Sequence, residues 1–98
     1  MVLSADVIRA KVGKAASEYD IVKVYLFGSY ARGEASEASD VDLCLETGPS
    51  FSLLNAGALS LELERELEAP IELVTERSLH PFVREGMLRD RVLLYERV

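Results

Sequence analysis

Apolar and polar residues alternate in blocks along the chain, and the blocks change period. Ile8, Val12, Ala15, Ala16 and Tyr19 recur at helical spacing behind Ser4, a good N-cap, with Asp6 in the first turn. Gly13 weakens that pattern somewhat. "IVKVYLF", Ile21 to Phe27, is β-branched, aromatic and almost continuously apolar, which predicts a strand covered on both faces. Gly28 ends it. Apolar character returns at "VDLCLE", Val41 to Glu46, a second strand, and "TGPS" is a turn. From Ser52 to about Glu68 the period is helical again. Leu59, Leu63 and Leu67 form one stripe, with Leu54, Ala58 and Leu61 beside it, and Ala69-Pro70 stops the helix. "IELVT", Ile71 to Thr75, is a third strand. Pro81 suits the first turn of a last helix, with Leu79, Val83 and Met87 at a spacing of four. Arg84, Arg89 and Arg91 lie toward its C-terminal end, where they suit the helix dipole. "VLLYERV" reads as a short final strand. The order predicts an α/β (α+β) domain spanning 1–98, a small mixed sheet with helices packed on it.

Composition narrows the function classes. The 98 residues carry a formal charge of −6, unevenly spread: 1–76 hold 6 basic and 14 acidic residues, and 77–98 hold 5 arginines and 3 acids. A net-acidic chain repels a phosphate backbone, so direct nucleic-acid binding is not expected. No apolar run reaches the length of a membrane span, and no signal-peptide pattern opens the chain. The single cysteine suits a reducing compartment, and the expectation is a cytoplasmic protein.

Candidate chemistry lies in "GSYARGEASEASDVDL". Asp40 and Asp42, two apart in a strand, point to one face. Two adjacent carboxylates repel, and a divalent cation removes the conflict. Oxygen ligands suit Mg²⁺, which takes one or two carboxylates and completes its shell with water and phosphate. Gly28 lets the backbone approach a ligand, and exposed N–H groups and the Ser29 hydroxyl at this turn can hold phosphate oxygens. Arg32 has two readings, a positive charge near that phosphate or a salt-bridging loop residue. Glu72 sits between Ile71 and Leu73, where an apolar residue is cheaper. Either it is an outward glutamate on an edge strand, or the third strand adjoins the second and Glu72 joins Asp40 and Asp42. Three acids beside a phosphate-holding turn are the parts of metal-assisted phosphoryl or nucleotidyl transfer. Cys44 reads as a buried structural cysteine, His80 as a helix-start residue, Tyr30 as loop packing and "EASEAS" as a solvated loop.

Gly28-Ser29, ten residues, then Asp40-Val41-Asp42 resembles the GS–x10–DxD signature of the DNA polymerase β-like nucleotidyltransferases. "GSYARG…SDVDL", "PIELVT" and "VREGMLRDRVLLYE" are similar to the minimal nucleotidyltransferase (MNT) branch, so the likeness covers nearly the whole chain. The resemblance implies the polymerase β-like fold, ATP as donor, Mg²⁺ on Asp40 and Asp42 with Glu72 as third carboxylate, and Gly28, Ser29 and Arg32 at the triphosphate. The branch usually carries aspartate where this chain has Glu72, one methylene longer. The resemblance also implies a HEPN-domain toxin as partner, whose hydroxyl, a tyrosine, receives AMP. An antitoxin that neutralises by contact alone and transfer to a small molecule are the other readings. No residues remain for an acceptor-binding domain, which favours a protein acceptor.

Overall fold

The computed structural model describes residues 2–98, apart from the Val83 side chain, so the part of Val83 in the expected spacing of four lies outside what is described. Helix α1 (Ala5–Ala16) leads to strand β1 (Ile21–Phe27), a one-turn helix α2 (Gly28–Ala31) and strand β2 (Val41–Thr47). Helix α3 (Leu53–Leu67), strand β3 (Ile71–Thr75), a 3-10 turn (Glu76–Ser78), helix α4 (Pro81–Asp90) and strand β4 (Val92–Glu96) complete the chain. The expected element order and small mixed sheet are therefore present.

Local chemistry explains the boundaries. The Ser4 hydroxyl accepts the Val7 N–H at 3.2 Å and starts α1. At α3 the Ser52 hydroxyl accepts the Asn55 N–H while the Asn55 side chain accepts the Ser52 N–H, both at 3.1 Å. This reciprocal pairing satisfies two N–H groups that a helix start otherwise leaves without partners. His80 caps α4, its Nδ1 accepting the Phe82 N–H at 3.3 Å, and Pro81 follows at the first helical position. Tyr19 lies beyond α1, which ends at Ala16, so it belongs to the link into β1 rather than to the helical stripe.

The sheet order is β3-β2-β1-β4. β1 pairs antiparallel with both β2 and β4, whereas β2 and β3 run parallel. A parallel pair needs a long crossover, and α3 supplies it. One face of the sheet carries the core: Val24 and Leu26 of β1 and Val41, Leu43 and Leu45 of β2 pack with Ile8 and Val12 of α1 and Leu59, Leu63 and Leu67 of α3. The other face is covered less completely. Lys23 and Tyr25 of β1 are half-buried there, a correction to the expectation of a strand buried on both sides. Arg91, at the end of α4, lies 4.0 Å over the Tyr25 ring, and Arg84 and Arg91 each approach Glu76 at 3.9 Å. Arg84 and Arg91 therefore tie α4 to Glu76 and the sheet. Arg89 and Arg91 stand at the C-terminal end of α4 as expected, but Arg84 falls in its first half, a correction to the expectation that all three suit the C-terminal dipole.

Leu54, Ala58 and Leu61 of α3 face outward, with Leu54 83% and Leu61 68% exposed. Seven residues separate the two leucines, nearly two full turns, so they share a stripe turned away from Leu59 and Leu63.

Candidate active site

Register on the less covered face builds the site. Phe27 of β1 lies opposite Asp42 of β2, and Asp42 lies in register with Glu72 of β3. The Val41 N–H donates to the Pro70 carbonyl at 2.9 Å, which locks the starts of β2 and β3 together. Asp40 stands just before β2, exposed, and Asp42 is half-buried in its first turn of pleat. Carboxylate oxygens of Asp40, Asp42 and Glu72 all lie within 4.8 Å of one another. β3 is an edge strand, so Glu72 is both an edge residue and a neighbour of Asp42.

Electrostatics shows the strain of this arrangement. The Asp42 carboxyl is pushed up to about 7, first by burial, then by its hydrogen bond to Glu72 and by the charges of Glu72 and Asp40, with Arg32 opposing. A hydrogen bond between two carboxyls needs a proton on one of them. A hard divalent cation relieves the same repulsion without a proton. Three carboxylate oxygens at this spacing, on a face partly open to water, fit an oxygen-preferring ion.

Gly28 meets the site from β1. It has φ 72°, and a Cβ placed on it would overlap the Asp42 carboxylate. The turn therefore passes over Asp42 because this position has no side chain. Ser29 follows within α2, and no side chain caps the first turn of that helix, whose N-cap residue is Phe27. Arg32 closes α2. Its guanidinium bonds Glu34 at 2.7 Å, as a salt-bridging loop residue does. Its pKa is raised by Glu34 first, and also by the charges of Asp90 and Asp42, so it lies within electrostatic reach of the carboxylates. An exposed pair of this kind exchanges partners at little cost.

The other candidates take structural places. Cys44 is buried beside Tyr25 in the sheet, and burial pushes its thiol up to about 11, with Glu76 adding to the shift. It is not a nucleophile at neutral pH. The Tyr30 hydroxyl accepts the Leu3 N–H at 3.4 Å and its ring packs against the core. In the loop before β2, Ser36 and Ser39 bond each other. One feature escapes a residue-by-residue reading: a cleft of about 280 Å³ beside Gly28, lined by Phe27, Arg32, Phe82, Gly86 and Asp90. Its walls come from β1, α2 and α4, which only the tertiary fold brings together.

Residues 8–94 match the family described as the nucleotidyltransferase domain. A candidate protein adenylyltransferase of Methanocaldococcus jannaschii is 34% identical over 85 residues, covering 87% of this chain and 91% of that protein. A solved structure of a candidate minimal nucleotidyltransferase superimposes with a TM-score of 0.78 at 36% identity, covering 92% of this chain and 95% of the other. The MNT antitoxin fold solved with a tri-AMPylated Shewanella oneidensis HEPN toxin aligns with a TM-score of 0.74 at 19% identity, over 96% of this chain and 74% of that one, which is a likeness of fold.

Proposed function

The chain belongs to the nucleotidyltransferase domain family, and from that premise we propose that it transfers AMP from ATP to a tyrosine hydroxyl of a HEPN-domain toxin, and so acts as its antitoxin. The observation that carries this reading is the convergence of Asp40, Asp42 and Glu72 beneath the glycine turn at Gly28. The protein adenylyltransferase name of the Methanocaldococcus relative and the AMP carried by the toxin in the Shewanella complex support the donor and the acceptor.

In this reading Asp40, Asp42 and Glu72 hold Mg²⁺, which supplies charge neutralisation at the phosphates and at the leaving group. The Gly28-Ser29 backbone and the Ser29 hydroxyl bind triphosphate oxygens, and Arg32 turns from Glu34 toward them. The tyrosine oxygen attacks the α-phosphorus of ATP. A new O–P bond forms, the bond between the α-phosphorus and the bridging oxygen breaks, and pyrophosphate leaves. The Asp42–Glu72 pair accepts the tyrosine proton, Glu72 being the more exposed member. An added AMP puts negative charge and bulk on the toxin.

Neutralisation by contact alone is the second reading. The exposed leucines Leu53, Leu54 and Leu61 on α3 favour it, because apolar surface of that kind serves a partner. One experiment separates the two. The purified toxin is incubated with this protein and Mg-ATP and weighed by intact mass spectrometry. AMP adducts are expected with the wild type and none with Asp42→Ala, which folds and still binds the toxin. An unmodified toxin with the wild type, or protection of cells by Asp42→Ala equal to the wild type, overturns the enzymatic reading.

A further inference from the structure

Beside the carboxylates, the cleft of about 280 Å³ shares Gly28 and Arg32 with the proposed phosphate turn. Small-molecule sites span roughly 300–1,000 Å³, so this space holds one flat ring system rather than a whole nucleotide. Its lining is unusual for a surface cleft. Phe82 is 82% exposed, yet it is held in place: the His80 ring lies against it, centroids 5.3 Å apart and planes 16° apart. The His80 Nδ1 is fixed in turn by the Phe82 N–H. Gly86 stands inside α4, where glycine is unfavourable by about 1 kcal/mol relative to alanine. Nothing packs closely where its Cβ would be; the nearest atom, an Arg89 guanidinium nitrogen, is 4.0 Å away. Helix packing therefore does not demand the glycine, and the space it leaves opens onto the cleft that Gly86 lines. Met87 and Phe27 provide an apolar lining, and Asp90 adds a carboxylate, an acceptor for a ring edge that presents N–H donors.

We infer that this cleft is the base site of the nucleotide, with Phe82 stacking on the nucleobase and Gly86 leaving room for it. The inference rests on the nucleotide reading given above and names the residues that turn a triphosphate site into a nucleotide site. Gly28 and Arg32 belong both to the proposed phosphate turn and to the lining of the cleft, so the two positions adjoin, as the two ends of a single ligand require.

The test compares Mg-ATP with Mg-tripolyphosphate, which keeps the phosphates and lacks the base, by titration calorimetry on the wild type, Phe82→Ala and Gly86→Leu. Stacking of a base on an aromatic side chain corresponds to a factor of about 5 to 100 in affinity. Phe82→Ala and Gly86→Leu are expected to weaken Mg-ATP by that factor and leave Mg-tripolyphosphate unchanged. Phe82 is exposed, so its variant keeps the fold, which circular dichroism checks. Unchanged Mg-ATP affinity in both variants overturns the inference, as does a parallel loss for both ligands. A wild type that binds neither ligand instead overturns the nucleotide reading on which the inference stands.

Discussion

Gly28 and Asp42 are a pair in which one residue exists in the shape of the other. The missing side chain of Gly28 is the room the Asp42 carboxylate occupies, and φ 72° adds a backbone reason for glycine. Gly33 has the same φ of 72° but open space where a Cβ would stand. The two glycines therefore separate backbone strain from steric overlap. Gly33→Ala is expected to cost about 1–2 kcal/mol of stability and leave AMP transfer intact. Gly28→Ala carries the same strain and also displaces Asp42. A displacement near 1 Å costs on the order of a hundredfold in rate, so the loss of transfer measured against Gly33→Ala isolates the overlap. Equal rates in the two variants would show that the Gly28–Asp42 fit has no part in the chemistry.

At the scale of elements, the caps set the frame on which those residues sit. Ser52 and Asn55 close the first turn of α3 reciprocally, and α3 is the crossover that brings Glu72 beside Asp42. Ser52→Ala is expected to cost about 1 kcal/mol, read as a lower denaturation midpoint with transfer unchanged, because the cap lies on an exposed surface away from the carboxylates. A lost activity with an unshifted midpoint would contradict this. The elements themselves were legible because each has its own period. Ile71 to Thr75 has the bounds expected from the sequence, and Ser4, Ser52 and His80 stand at helix starts. Periodicity does not say what covers a face. The continuous apolar run of β1 suggested cover on both sides, but Lys23 and Tyr25 on the second face stay half-buried, Lys23 paired with Glu96 and Tyr25 under Arg91. Leu54 and Leu61 lie beside the core stripe in the sequence pattern, and the pattern does not say that they turn outward to water. Within the site, Gly28-Ser29 and Asp40-Val41-Asp42 are local motifs and could be seen at once. The place of Glu72 depended on which strand neighbours β2, and the cleft depended on how α2 meets α4, so neither has a local signature.

For the whole molecule, the three carboxylates couple the site to stability. Folding brings Asp42 into a place where its carboxyl is raised from 3.8 to about 7. Between those values the native chain binds more protons than the unfolded chain, so stability falls as pH rises. The other resolved shifts do not cancel this. Asp20, bonded to Arg97 and to the Ser50 N–H, and Glu66, bonded to Lys11, are lowered, so their stabilising contribution is already complete above the ordinary carboxylate range. Cys44, at about 11, titrates above the window. With divalent ions chelated, the melting temperature is therefore expected to decline from pH 5 to pH 8. Asp42→Asn removes the ionisable group and is expected to flatten that decline and to melt higher than the wild type at pH 8. Mg²⁺ acts on the same repulsion from the other direction. An ion that binds only the folded chain stabilises it by about 2.7 kcal/mol at a hundred times its dissociation constant. Added Mg²⁺ is thus expected to raise the wild-type melting temperature most at pH 8, where Asp42 has no proton to lose, and to do little for Asp42→Asn. Differential scanning calorimetry across this pH range, with and without Mg²⁺, reads both effects. A wild-type profile that is flat when chelated and indifferent to Mg²⁺ would mean that the three carboxylates neither repel one another nor share an ion.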